Sequence, residues 1–153
     1  MSDLMDILMP LERRNEGSRL VAYKDTKGNW TIGVGHNLAA RGLPWVAGDP
    51  SETDWGGYTI NEAQEHNLLL ADLAESIRDS SGLECWNSLS DRRKAAIVDM
   101  CFSMGINKLK TFGVFLAYMD AGRYEAASED RTHTSGEWQV GVRGDVIRKM
   151  ILA

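Results

Sequence analysis

Leu4, Ile7, Leu8 and Leu11 recur at intervals of three and four, the apolar stripe of a helix over residues 3–15. Pro10 interrupts that stripe, so a short first turn followed by a fresh helix from Pro10 is expected, proline being favoured at a first helical position. Gly17 then ends the helix by supplying a positive-φ residue at little cost. After it the period changes. "RLVAYKD" (19–25) and "NWTIGVGH" (29–36) are rich in β-formers and flank the polar connection Thr26-Lys27-Gly28, which predicts a hairpin. Residues 37–59 mix Gly, Pro and polar residues and predict an irregular loop or a third edge strand.

From Thr59 the period returns to that of a helix. Leu69, Leu70, Leu73, Ala74 and Ile77 line one face of a long segment that Gly82 closes. Thr59 with Glu62 has capping-box spacing, and Asn61 is a rival cap. A second helix is predicted from Ser90 to Met104, stopped by Gly105. A third, from Asn107 or Lys108 to Ala121, turns Phe112, Phe115, Leu116 and Met119 inward. Short helices at 123–129 and about 141–151 complete the chain. Strands bunched early and helices bunched late indicate an α+β chain. The expected organisation is a single domain, 1–153. It has a small antiparallel-sheet lobe over about 12–60, a connecting helix over about 60–81, and a helical lobe over about 82–153 that also takes the N-terminal helix. A groove between lobes is where a ligand is expected.

Composition narrows the function. Net charge is −5 over 153 residues, which argues against a nucleic-acid partner. The charge is uneven: residues 1–85 hold 7 basic and 14 acidic groups, leaving 10 and 8 of the total 17 and 22 for residues 86–153. No apolar run approaches the ~18 residues that span a bilayer, and the acidic start "MSDLMD" lacks the features of a signal peptide. Synthesis without a leader, no stable membrane insertion and a monomer are therefore expected. Cys85 and Cys101 have no metal or redox spacing, and Cys101 falls in an apolar helical run as a buried thiol. The cysteines thus point to no metal or cofactor site.

The chemistry concentrates in residues 15–36. Glu16 ends a helix, Asp25 ends a strand nine residues on, and Thr31 begins the return strand. If side chains alternate along that strand, Thr31, Gly33 and Gly35 share a face, and the glycines clear it for a large substrate. Two carboxylates across such a floor are the equipment of glycoside hydrolysis: one protonated to donate to the leaving oxygen, the other ionised on the opposite ring face. Desolvation would suit Glu16 to the first role, and a solvated turn Asp25 to the second. Thr31 would hold the attacking water.

Glu16-Gly17-x-Arg19-Leu20, Tyr23-x-Asp25-x-x-Gly28 and Trp30-Thr31-Ile32-Gly33-Val34-Gly35-His36 together resemble the lysozyme (endolysin) family of tailed bacteriophages. The resemblance implies a two-lobed lysozyme-like fold and a muramidase cleaving the β-1,4 bond between N-acetylmuramic acid and N-acetylglucosamine in peptidoglycan. It places the acid on Glu16, the aspartate on Asp25, the water-positioning threonine on Thr31, and inversion at the anomeric carbon. His36 and Asp72 match the family's histidine–aspartate pair, Asn37 and Phe102 its sugar contacts, and Arg143 a residue reaching toward Glu16. Ser103 stands where the family carries an amide side chain, and Gly144 where it carries alanine. The loop 41–58, with Trp45 and Trp55 as candidates for sugar stacking or core packing, departs from the family. The implied biology is an endolysin held in the host cytoplasm until a separate holin opens the membrane to the cell wall. The alternative is a catalytically silent peptidoglycan-binding or phage structural module.

Overall fold

The N-terminal stripe folds as one helix, α1 (Ser2–Glu16), which continues through Pro10 instead of restarting there. Pro10 cannot donate to the Asp6 carbonyl, but both residues lie on the exposed side, where water can take that bond. These observations come from a computed structural model that describes residues 2–130 and 141–153.

The hairpin forms as expected and then departs from expectation. Strands β1 (Arg19–Lys24), β2 (Trp30–Gly33) and β3 (His36–Asn37) make an antiparallel sheet in that order. Lys24 pairs with Trp30 and Tyr23 with Thr31, and the ladder slips before Arg19 meets Gly33. The expected single strand 29–36 is instead two. The chain reverses at Val34-Gly35, so that Ile32 faces His36 and Thr31 faces Asn37. Gly33 (φ 62°) and Gly35 (φ 68°) are left-handed, a conformation that favours glycine and that a continuous strand would not need. Beyond β3, Asn37 caps the short helix α2 (Leu38–Arg41) by accepting from the Ala40 N–H at 3.1 Å. Residues 58–60 then line the outer edge of β1. Ala22 N–H donates to the Tyr58 carbonyl and Ile60 N–H to the Leu20 carbonyl, each at 2.8 Å, and Val21 faces Thr59. Thr59 is thus an edge residue. The long helix α3 (Glu62–Ser81) is capped by Asn61, whose side chain and that of Gln64 bond each other's backbone N–H at 2.8 and 2.9 Å.

Packing divides the chain into two compact units, one of Met9–Asp72 and one of Met1–Leu8 with Leu73–Ala153. In the first, Ile32, Leu38, Leu43, Trp55, Ile60 and Leu68 form the core. Trp55 is 1% exposed, with its indole N–H on the Pro50 carbonyl, and so is a core residue. Trp45 is 45% exposed, with its N–H on the Tyr58 hydroxyl at 2.8 Å.

In the second unit, α4 (Asp91–Met104) precedes α5 (Ile106–Lys110), α6 (Gly113–Asp120), α7 (Tyr124–Glu129) and α8 (Gly141–Leu152). The single helix expected up to Ala121 is divided into α5 and α6. Phe112 leaves helical geometry at ψ 57° and is buried, while the Thr111 hydroxyl closes the preceding turn on the Lys108 carbonyl at 2.6 Å. Burying the phenyl ring outweighs the modest helical preference of the run. α8 packs against α4 and α7. Arg93 of α4 donates to the Ile151 carbonyl at 2.8 Å, and its guanidinium lies 3.6 Å from the centre of the Tyr124 ring. Cys85 and Cys101 are both buried and unbridged, and burial pushes both thiols up. Among the described residues no helix is long and apolar enough to cross a membrane.

Candidate active site

Glu16 is the last residue of α1, where Gly17 takes φ 71° and donates its N–H to the Arg13 carbonyl at 3.0 Å. The half-buried Glu16 side chain lies against Gly35: a Cβ built on that glycine would meet the Glu16 Cγ and Oε2 at 3.5 Å. On Gly33 a Cβ would meet the Glu65 Cγ at 3.6 Å. The two glycines therefore do not clear an empty floor, as simple strand alternation suggests. Each bends the backbone at positive φ and lies against a glutamate side chain.

The hairpin turn organises the other carboxylate. Asp25 Oδ1 accepts the backbone N–H of Lys27 at 2.9 Å and of Asn29 at 2.8 Å. These bonds, the Asn29 N–H first among them, outweigh the opposing effect of desolvation and hold the Asp25 carboxyl below the usual aspartate range. The Asn29 carbonyl in turn accepts the Asp25 N–H at 2.9 Å and the Thr31 hydroxyl at 3.0 Å. One peptide segment thus orients both the carboxylate and the threonine. Because the Thr31 proton is directed at Asn29, lone pairs on its oxygen remain to accept from a water.

Tyr23, opposite Thr31 in the ladder, registers both carboxylates. Burial raises its phenol, the Arg19 guanidinium 4.4 Å from its ring centre acts against this, and the charges of Glu16 and Asp25 add to the rise. Next to this group, His36 Nδ1 stands 2.7 Å from Asp72 Oδ2 and Nε2 stands 2.7 Å from the Gly42 carbonyl. The pair is buried, and Arg41 lies 3.3 Å from the other Asp72 oxygen.

The unit Met9–Asp72 therefore contains Glu16, Asp25, Thr31, His36, Asn37 and Asp72. The side-chain oxygen of Asn37 is already engaged as the α2 cap. Phe102, Ser103 and Arg143 belong to the other unit. There Phe102 is half-buried and Ser103 exposed at the end of α4. Arg143 makes a two-pronged contact with the fully buried Asp99, at 2.8 and 3.3 Å. Asn29, which bonds Asp25 and Thr31, and Glu65, which lies against Gly33, are neighbours of these residues that sequence reasoning did not single out. Asn29 works through backbone atoms, which residue type does not reveal, and nothing in a helical Glu at position 65 marks it.

Residues 13–149 match the family model described as phage lysozyme. The chain belongs to the phage lysozyme family. It is accordingly a glycoside hydrolase of the lysozyme type, acting on peptidoglycan. Among its relatives are two from Dictyostelium discoideum. Probable T4-type lysozyme 1 is 28% identical over 98% of this chain and 94% of that protein. Probable T4-type lysozyme 2 is 31% identical over 87% of this chain and 84% of that protein. The pre-baseplate central spike protein Gp5 of Enterobacteria phage T4 is 33% identical over 75% of this chain, but the match spans only 22% of Gp5.

Proposed function

We propose that this lysozyme cleaves the β-1,4 bond between N-acetylmuramic acid and N-acetylglucosamine by single displacement with inversion, in the service of host lysis. The observation that carries the mechanism is the Asn29 bridge, which ties an aspartate kept ionised to a threonine hydroxyl with free lone pairs. Glu16 donates its proton to the glycosidic oxygen as the C1–O bond breaks. A water on the opposite face of the sugar attacks C1, held by the Thr31 oxygen and by Asp25, which takes the water's proton. Glu16 ends ionised and Asp25 protonated, and exchange with solvent restores both. A depressed carboxyl is a weak base, so Asp25 contributes chiefly by stabilising positive charge at C1 and orienting the water.

Asp25→Asn should slow turnover by about 10²-fold or more. Thr31→Ala should slow it by about tenfold, since a water can be held in more than one way. Initial rates on purified cell walls check both, and an unaltered Asp25→Asn rate would remove the aspartate from the reaction. We place the chain in the host cytoplasm after synthesis and, as a monomer, at the cell wall once a separate holin has breached the membrane. Mass spectrometry of digested walls tests the bond: new reducing ends on muramic acid are expected, and reducing ends on glucosamine or intact strands would overturn the assignment. The likeness to a phage spike protein supports a second reading, a module of a phage structural assembly. Recovery of the chain in purified virions would favour that reading.

A further inference from the structure

Outside the residues given a chemical role, Glu65 in the first turn of α3 is a carboxylate of the Met9–Asp72 unit held at both oxygens. It is 8% exposed. Its Oε1 accepts from Arg13 Nη2 at 2.8 Å and its Oε2 accepts from the Ser18 hydroxyl at 2.9 Å. Its Cγ lies against Gly33, at ordinary contact distance from where a Cβ on that residue would stand. Arg13 lies three residues before Glu16, and Ser18 two residues after it. One carboxylate therefore grips the chain on both sides of the proposed acid.

The location matters because Glu16 sits where helices fray. It is the last residue of α1 and is followed at once by a left-handed glycine, and terminal turns are held by few backbone bonds. The pairing of Glu65 over Gly33 with Glu16 over Gly35 places both glutamates on adjacent turns of the same backbone. From this we infer that Glu65 is a positioning residue for the hydrolysis: by holding Arg13 and Ser18 together it fixes the end of α1 and with it the direction of the Glu16 carboxyl. The inference rests on the proposed role of Glu16 as the acid. It predicts a defect in the chemical step with substrate binding intact, because a misplaced acid costs rate without removing sugar contacts.

The test uses the full chain and a soluble glycan strand of alternating N-acetylmuramic acid and N-acetylglucosamine. Glu65→Ala should lower kcat about 10- to 100-fold with KM changed less than about twofold. Glu65→Gln keeps an acceptor for Ser18 but loses the ion pair, and should recover part of the loss. Ser18→Ala, which leaves α3 untouched, should lower kcat by a few-fold at unchanged thermal midpoint, so the inference stays testable even if Glu65→Ala folds poorly. Wild-type kcat in Glu65→Ala, or in both Glu65→Gln and Ser18→Ala, would overturn it. So would a loss that follows only the folded fraction, with Glu65→Gln no better than Glu65→Ala. These failures differ from failure of the acid assignment, in which Glu16→Gln itself would keep turning over this substrate.

Discussion

Glu16→Gln should reduce hydrolysis of purified peptidoglycan by about 10³-fold or more, within the range that a positioned general acid supplies. The amide has the shape of the carboxyl and can occupy the same space beside Gly35, where the native Cγ and Oε2 already lie in ordinary contact distance of a hypothetical Cβ. Packing at the end of α1 is therefore preserved, and the thermal midpoint should stay within a few degrees of wild type. What is lost is the proton. Release of soluble reducing sugar from walls measures the rate, and circular dichroism on heating checks the fold. A variant that is folded and retains clearing within tenfold of wild type would take the acid role away from Glu16.

The elements that a side-chain pattern encodes were legible in the sequence. Leu4, Leu8 and Leu11 mark the buried face of α1, and all are 5% exposed or less. Gly17 and Gly105 stop their helices with φ of 71° and 83°. The pairing of His36 with Asp72 also emerges as the resemblance implies. What the pattern concealed was the use of backbone. "WTIGVGH" reads as one strand because each residue type tolerates extension. The turn at Val34-Gly35 rests on left-handed backbone at Gly33 and Gly35, a conformation that glycine permits without announcing it in the pattern. Phe112 shows the same competition on the helical side, where one buried ring overrides a sequence that could have continued as helix.

The candidate site divides along the same line. Residue types and gaps single out Glu16, Asp25 and Thr31 as candidates, because glycoside hydrolysis needs those functional groups. The groups that orient them were not legible. Asn29 acts on Asp25 through its N–H and on Thr31 through its carbonyl, atoms that every residue but proline possesses. Glu65 is 49 positions beyond Glu16 in the chain, so only the fold reveals that it clasps the residues on either side.

The second large effect concerns stability. His36→Gln or Asp72→Asn should cost about 3 kcal/mol, the lower end of the range for breaking a buried ion pair, and lower the thermal midpoint by about 10 °C in a chain of this size. Rate at 20 °C should fall only a few-fold, because neither side chain takes a part in the proposed proton transfers. The cost has a pH dependence with a definite sign. Burial by itself opposes charge on His36, but the Asp72 carboxylate at 2.7 Å and the Gly42 carbonyl at 2.7 Å overcome it, with Arg41 acting against them, and the imidazole is raised above its ordinary value. Both ring nitrogens face acceptors, which suits the doubly protonated ring. A raised folded-state value means that the stabilisation is complete below the unfolded value of about 6.5 and is lost as pH rises through the folded one. Thermal midpoints of wild type and His36→Gln should therefore differ most on the acid side of that window and converge above it. A gap that stays constant from acid to alkaline pH would show that the pair contributes through packing and neutral hydrogen bonding, without an ionised imidazole.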